Sequence, residues 1–427
     1  MKNWSGVINS SPELLSFPRS EEEILRLVGR AREGRKRIRV VGSGHSFTPL
    51  WDKTEILVSL DRYTGIVSVD RGERRVRVRA GTKLSELNEL LHSMGLALEN
   101  LGDIDQQSIA GAISTGTHGT GATLGSISTQ LRGLRFVNGR SEVLECSFEE
   151  NPELFRMAQV SLGALGIILE VELQCVEASV LELRVEREAL RDMLCASTSL
   201  REQNRHFEFF WFPHTPYVMS KRINPTDQAA EQTNSLRALG ETALENYVFY
   251  ALCQASRLWP AATAGISRFA GRASGSRRKI DYSHRVFSTS RLVKFNEMEY
   301  SVPIEAYEQT MRELVNRVNT RYSNVLFPVE NRFVASDDIP LSPSFGRDSA
   351  YIAVHLYHKK DFRAFFADIE AIFRAHDGRP HWGKIHSCAA PELGELYPEF
   401  GAFRKTRSQQ DPEGLFLTDY LKELLGG

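Results

Sequence analysis

Residues 20–34, "SEEEILRLVGRAREG", set Ile24, Leu27, Val28 and Ala31 at the three-and-four spacing of a helix with one buried face. Ser20 and Glu23 make a capping box at its start and Gly34 closes its end. A short strand, "KRIRVVG", follows. In "RRVRVRAG" basic and apolar residues alternate, so Val76, Val78 and Ala80 share one face of a half-buried strand and the arginines the other. "TKLSELNELLHSMG" then returns to helical spacing, with Leu84, Leu87, Leu90 and Leu91 inward and Gly95 near its end. The first hundred residues therefore read as α+β.

From Gly102 to Gly121, "GDIDQQSIAGAISTGTHGTG" has no charge after Asp105 and too little apolar periodicity for a long helix. It is backbone suited to close approach by something else. "LRGLRFV" and "GIILEVELQCV", joined through "LGALG", add strands and end a first domain near residue 175. Beyond it, strand-like runs such as "HFEFFWFP" and "YIAVHLYH" alternate with helical stretches such as "IEAYEQTMRELVNRV" and "DFRAFFADIEAIFRAH". The run from about 223 to 280, including "NPTDQAAEQTNS" and "RASGSRRK", is polar and less patterned and reads as a mobile insertion, with Arg277, Arg278 and Lys279 in a solvated loop. There is no internal repeat.

Composition narrows the function. A chain of 427 residues holds two or three domains, and 53 Lys+Arg against 54 Asp+Glu create no general field for nucleic acid or anionic lipid, so a small or neutral substrate fits better. No apolar run reaches the roughly 18 to 20 residues of a membrane span. The N-terminus lacks the apolar core of a secretory signal, which predicts a cytoplasmic protein. Cys146, Cys175, Cys195, Cys253 and Cys388 are widely spaced and odd in number, as reduced and mostly buried thiols are, and suggest neither a disulfide framework nor a zinc site.

Two loops carry candidate chemistry. In "VVGSGHSFTPL", the sequence Gly42, Ser43, Gly44 after a strand leaves amides able to converge on an anion such as a pyrophosphate. It is not the GxGxxG dinucleotide fingerprint, because position 47 is Phe. "STGTHGTG" offers the same amide and hydroxyl chemistry a second time. On spacing alone both remain either ordinary turns or an anion cradle, and His45 either a turn residue or a group that bonds to a cofactor; as a metal ligand it has no partner at suitable spacing. In "VENRF", Glu330 and Arg332 leave one strand face together, as a pair addressing a polyol or as a surface ion pair. Tyr351, Ala353, His355 and Tyr357 likewise share a face, and His355 is either a pocket residue or a core histidine.

Taken in order, "VVGSGHS", "NLGDIDQQSIAGAISTGTHGTG", "SLGALGIILEVEL", "FPVENRF", "LSPSFGRDS", "GRPHWGKIHS" and "DPEGLFLTDYL" resemble the vanillyl-alcohol oxidase type of FAD flavoprotein, and within it the sugar-1,4-lactone oxidase branch. The resemblance implies an α+β, two-domain FAD-binding (PCMH-type) flavoprotein whose α+β cap is built on an antiparallel sheet. Residues 1–175 would bind FAD, 176–379 would form the substrate or cap domain, and 380–427 would return to the flavin domain. Val41, Gly42, Ser43, Gly44, His45 and Ser46 would wrap the pyrophosphate, His45 being the position where many members attach the flavin covalently. Gly102, Asp103, Ser108, Gly111, Ser114, Thr115, Gly116, Thr117 and His118 would form the second cofactor loop, with Ile167 on the adenine or ribose side and His381 nearby. Glu330, Arg332 and Lys384 would be the catalytic groups over the flavin and would bind substrate together with His355 and Tyr357. No metal is implied.

The implied reaction is oxidation of an aldono-1,4-lactone at C2, with oxygen as acceptor, giving hydrogen peroxide and an ascorbate-type product. The alternatives are an alditol oxidase acting at C1, a lactone dehydrogenase with another acceptor, or a catalytically silent FAD-binding subunit. Tyr357 stands where alditol oxidases tend to have a small hydroxyl residue, which leans toward lactones. Gly102 stands where glycine leaves a path for oxygen.

Overall fold

The computed structural model describes residues 1–231, 235–273, 275–288 and 292–426. The architecture is α+β, as the resemblance implies, and two antiparallel sheets organise it. The first has five strands in the order Ile66–Asp70, Arg75–Arg79, Ile167–Gln174, Leu131–Val137, Val143–Ser147. Beside it, Leu14–Ser16, Ile56–Val58 and Ile38–Val40 form a small parallel sheet. Helix Glu21–Glu33 buries Ile24, Leu27, Val28 and Ala31, the face its periodicity predicts. Its start departs from a full capping box: Ser20 Oγ accepts the Glu23 amide, but the Glu23 carboxylate accepts the amide of Arg19 instead of the cap residue's own. Helix Leu84–Ser93 buries Leu84, Leu87 and Leu91 in the same way.

The second sheet has eight strands in the order Arg277–Tyr282, Val180–Ala189, Tyr217–Pro225, His206–Trp211, Val329–Val334, Ser349–Tyr357, Phe295–Pro303, Arg379–Pro380. Its central strands are covered on both faces, so both sets of alternating side chains are buried. Toward one layer, helices Tyr307–Arg321 and Arg363–Ala375 pack on apolar positions: Tyr307 meets Phe333 and Phe373 meets Tyr300, with ring centroids 5.2 Å apart in each pair. The opposite face is polar.

Two expectations are corrected in the insertion. In place of an unpatterned loop there are helices Ser235–Leu258 and Thr263–Ala273, and the basic cluster Arg277, Arg278, Lys279 lies in an edge strand paired with Val180–Ala189. Along Ser235–Leu258 the described apolar residues face both inward and outward, which hides the usual one-sided periodicity. Gln232, Thr233, Asn234 and Ser274, parts of the stretches read as mobile, lie outside the described residues.

The C-terminal segment crosses back to the small parallel sheet. Ile38 donates its amide to Leu415 O at 2.9 Å, and the buried Arg39 guanidinium donates to Phe416 O at 3.0 Å and Leu162 O at 2.6 Å. Burial depresses the Arg39 pKa to about 10. Close backbone approach is also required just after strand Arg75–Arg79: a Cβ on Gly81 would sit 1.9 Å from Leu60 O and 2.8 Å from Tyr63 O. Gly81→Ala is therefore expected to cost about 3 kcal/mol or more of stability, because the obstruction is main chain. A thermal melt within a degree or two of wild type would contradict this packing.

Candidate active site

Two clefts meet at the glycine loop, with about 870 Å³ and 710 Å³ of space. The first is lined by the Gly42–Ser46 loop, by Ser108, Gly111, Ser114 and Thr115, and by Gly166–Ile168 and Phe416. The second is lined by Gly102, Asp103, Thr117, His118, Glu330, Arg332, His381 and Lys384, together with Phe47, Phe295, Glu297 and Glu299. His45, Ser46, Gln107 and Thr115 belong to both and so mark the junction. This shape suits an elongated ligand in the first cleft with one end exposed to a smaller molecule in the second.

The glycine loop fits an anion. Among the described residues, none of the amides of Gly42, Ser43, Gly44, His45 and Ser46 donates to a protein acceptor, whereas those of Val41 and Phe47 on either side do. Unpaired amides at a half-buried surface need a partner, and several in succession make an anion-binding concavity. Gly44 has φ +70°, and a Cβ on Gly42 would lie 2.8 Å from Ser108 Oγ, so side chains here would close the cradle. Lys83 Nζ, 2.8 Å from Ser43 Oγ and 3.2 Å from Asp61, adds a cation at the rim that the sequence reading passed over. This donor set matches the pyrophosphate of FAD.

The 102–121 loop is joined to the second sheet at its far end. Gly121 donates its amide to Phe333 O at 2.7 Å, and Thr120 Oγ1 bonds to Phe207 O. That attachment turns Asp103, expected in the cofactor loop, toward Arg332 Nη2 at 3.0 Å. His118 bonds through Nδ1 to Gly119 O at 2.9 Å, lies 3.3 Å from Glu299 through Nε2, and stacks 3.8 Å from the Tyr351 ring. Two members of the predicted loop set, Val41 and Gly116, line neither cleft; Gly116 packs against Pro343 and Val160.

Register on the polar sheet face explains the rest. Lys221 is paired across strands with Glu208, Glu208 with Arg332, Glu330 with Ala353, and Ala353 in turn with Glu299; His355 is paired with Glu297. These side chains therefore pave one surface. Arg332 donates through Nε to Glu208 at 2.9 Å, and its Nη2 forms ion pairs with Glu330 at 2.5 Å and Asp103 at 3.0 Å. Burial opposes its charge, but Glu330, Asp103 and Glu208 hold the guanidinium pKa well above its ordinary value. Burial likewise opposes the charge of Lys221, and Asp103 and Glu208 raise its pKa.

Lys384 comes from a different segment. Phe47 donates its amide to Gly383 O at 2.7 Å and Thr48 Oγ1 donates to Trp382 O at 2.9 Å, so the "HWGK" run lies alongside the glycine loop. Its Nζ is 2.5 Å from Glu297 and 5.4 Å from the Phe47 ring centroid. Burial opposes ionisation of Glu297, yet Lys384 and His355 bring its carboxyl down to about 2. Burial also opposes ionisation of Glu299, which His118 holds well below the usual range. His381 is pushed to about 3, chiefly by burial, and its Nδ1 accepts the Gly383 amide at 3.0 Å. Burial, then Lys384 and Lys83, take His45 to about 4, so its imidazole is neutral at pH 7.

His355 and Tyr357 do not reach the cleft wall. His355 sits behind Glu297, 3.3 Å from it, with Nδ1 3.2 Å from Pro328 O, and Tyr357 is buried in an aromatic cluster with Phe295 and Phe327. In their place Glu297 and Glu299 line the cleft, backed by Glu208 and Lys221 behind Arg332, and sequence reasoning missed all four. The available signal was a charge embedded in apolar strand sequence, as in "FNEMEYSVP" and "HFEFFW", where an unpaired charge would be costly. His118, Glu299 and His381 have ligand atoms within 4.8 Å of one another, a composition a metal could use, but here hydrogen bonds to Gly119, Glu299 and Gly383 occupy these groups.

Comparison with known proteins gives concordant results. A family model for D-arabinono-1,4-lactone oxidase matches residues 171–424, and one for an FAD-binding domain matches residues 12–147. L-gulono-1,4-lactone dehydrogenase of Mycobacterium tuberculosis is 35% identical over 99% of this chain and 98% of its own. L-gulonolactone oxidase of Scyliorhinus torazame is 34% identical over 99% and 97%. Among solved structures, cholesterol oxidase from B. sterolicum superimposes with a TM-score of 0.81 at 16% identity, covering 99% of this chain and 96% of that one, a likeness of fold.

Proposed function

The chain belongs to the D-arabinono-1,4-lactone oxidase family of FAD flavoproteins, and we propose from this that it oxidises an aldono-1,4-lactone resembling L-gulono-1,4-lactone at C2, giving an ascorbate-type enediol. At the coarser level it is an FAD-dependent oxidoreductase acting on sugar lactones. The observation that carries the finer reading is the convergence of Glu330, Arg332 and Lys384 on a cleft that opens at His45 into the glycine-lined one.

The 42–46 and 102–118 loops would hold FAD, which would supply a hydride acceptor at N5 and a route for the electron pair to oxygen, as hydrogen peroxide, or to another acceptor. The protein's own part is electrostatic. Arg332 and Lys384, which both line this cleft, stabilise the negative charge on the C2 oxygen as its proton leaves. Glu330 orders the neighbouring hydroxyls and accepts that proton. The carboxylates around Arg332 fix the guanidinium plane, so little reorganisation accompanies the charge change. His381, neutral at working pH, shapes the wall without adding a competing charge.

Lactone and open-chain alditol assayed side by side test the reading. Preference for the alditol would overturn it. A second variant addresses the acceptor. A Cβ at Gly102 would lie 3.1 Å from His118 O and 3.6 Å from Thr117 Cγ2, close enough to narrow the cleft without blocking folding. Gly102→Ala is expected to slow the reaction with oxygen about tenfold, a barrier change of about 1.4 kcal/mol, while an artificial dye still accepts electrons at the wild-type rate. Equal slowing with both acceptors would place the effect outside any oxygen path.

A further inference from the structure

The helices Ser235–Leu258 and Thr263–Ala273 carry exposed apolar residues on their outer side, while buried hydroxyls lie among apolar residues on their inner side. Ser256, Thr263 and Ser267 are buried beneath them, Ser256 Oγ 2.8 Å from Thr263 Oγ1 and Ser267 Oγ bonded to Pro213 O. Facing outward are Tyr247 and Phe269, 69% and 68% exposed, and Leu258 and Trp259, each 64%. The corner between the helices, "LWPAA" from Leu258 to Ala262, is exposed throughout. Leu292, whose amide bonds to Asn246 at the start of this face, adds another exposed apolar side chain. Single exposed apolar residues are ordinary, but a ridge along one helix that continues through a corner onto the next is an interaction surface.

The charge around it identifies the partner. From Asn246 to Ile280 there is no Asp or Glu, whereas Arg257, Arg268, Arg272, Arg277, Arg278 and Lys279 all fall in that stretch. Arg278 and Lys279 are bonded to Glu182 and Asp281, while Arg257, Arg268 and Arg272 are exposed beside Leu258 and Phe269. An apolar ridge carrying Trp and Tyr and rimmed by cations has the composition of a segment lying in the interface of an anionic bilayer. We propose that this helix pair docks the protein on an anionic lipid surface, with Leu258 and Trp259 entering the boundary between headgroups and acyl chains and the arginines meeting the phosphates.

A second copy of the chain fits less well. Two-fold pairing through the face from Asn246 onward would gather Arg257, Arg268 and Arg272 of both copies in one interface, and the carboxylates of the helix pair, Glu241 and Glu245, precede that stretch. Among the described residues no helix is long and apolar enough to cross a membrane, so contact is along the surface. The inner side of the same helices, at Phe249, Leu252 and Ile266, packs with Phe47, Phe295 and Tyr357, and Phe47 and Phe295 also line the second cleft. Docking therefore sets that cleft close to the bilayer.

Co-sedimentation of the flavin-loaded protein tests this, using vesicles of phosphatidylcholine alone and of equal parts phosphatidylcholine and phosphatidylglycerol. Wild type is expected to bind the anionic vesicles, to be released by salt, and to lose about tenfold in binding when both Leu258→Asp and Trp259→Asp are introduced, with turnover unchanged. Bromine-labelled lipid should quench wild-type tryptophan fluorescence, and Trp259→Phe should remove that quenching. The proposal is overturned by failure of wild type to sediment, by equal binding to neutral vesicles, by binding that survives the double substitution, or by a lipid-free dimer that the double substitution dissociates.

Discussion

Lys384→Ala is expected to lower turnover about 100-fold while leaving FAD content near that of wild type. The lysine lines the second cleft and holds its place by a 2.5 Å contact with Glu297 and by the bonded "HWGK" backbone. The cradle amides lie in a different loop, so the cofactor's hold on the protein does not depend on this side chain. Its loss removes one of two cations proposed to meet the developing oxyanion, and Lys384→Arg should recover part of the rate. Glu297 supplies a second readout. With Lys384 gone, the carboxyl loses the first of the charges that draw it down to about 2, and its pKa rises. The acid limb of the kcat profile should accordingly move to higher pH. Stability follows the same group: because the folded value lies below the ordinary 4.5, the stabilisation is complete above that pH and is lost as pH falls toward about 2. In the variant this acid-labile contribution shrinks. Turnover equal to wild type would remove Lys384 from the chemistry.

Glu297 also shows where sequence reading stops. Helix Glu21–Glu33 and the strand Arg75–Arg79 were legible because each has one wet and one dry face, so a single period reports the element and its orientation. The strand Phe295–Pro303 is buried along its length apart from a partly exposed Pro303, and its alternation separates a helix-facing surface from a cleft-facing one, both dry. Nothing in "FNEMEYSVP" alone tells which carboxylates are paired or with whom. That information lies in the register, which sets Glu297 opposite His355 and Glu299 opposite Ala353, and in a segment nearly ninety residues downstream that brings Lys384. Glu330 and Arg332 could be read two apart on one face, but Glu208 and Asp103, the other ends of the Arg332 fork, arrive from a neighbouring strand and a distant loop. His355 and Tyr357 illustrate the converse: they share the right face, yet a longer side chain on the next strand stands between His355 and the cleft. In the insertion, apolar residues on both sides of Ser235–Leu258 cancel the contrast that a helical period needs, and so that helix reads as irregular chain.

His45→Ala is expected to convert tightly held flavin into flavin released on denaturation. The imidazole stands at the junction of the two clefts, next to the amides that fit a pyrophosphate and on the route to the substrate side. Burial and the flanking cations Lys384 and Lys83 depress its pKa to about 4, which leaves a ring nitrogen unprotonated and nucleophilic at neutral pH. A bond from this imidazole to the flavin 8α position would draw electron density from the flavin ring and make the bound cofactor easier to reduce. Two consequences can be separated. When the wild-type protein is denatured and precipitated, yellow colour should stay in the pellet; from His45→Ala it should pass to the supernatant. The variant, reloaded with free FAD, should still bind it through the 42–46 amides but reduce it about tenfold more slowly with lactone, the kinetic cost of a lower potential. Colour released from the wild type would refute the covalent link while leaving the cradle intact, because the amides of Gly42 to Ser46 do not depend on the imidazole. Full loss of FAD binding in the variant would instead make His45 part of the cradle itself.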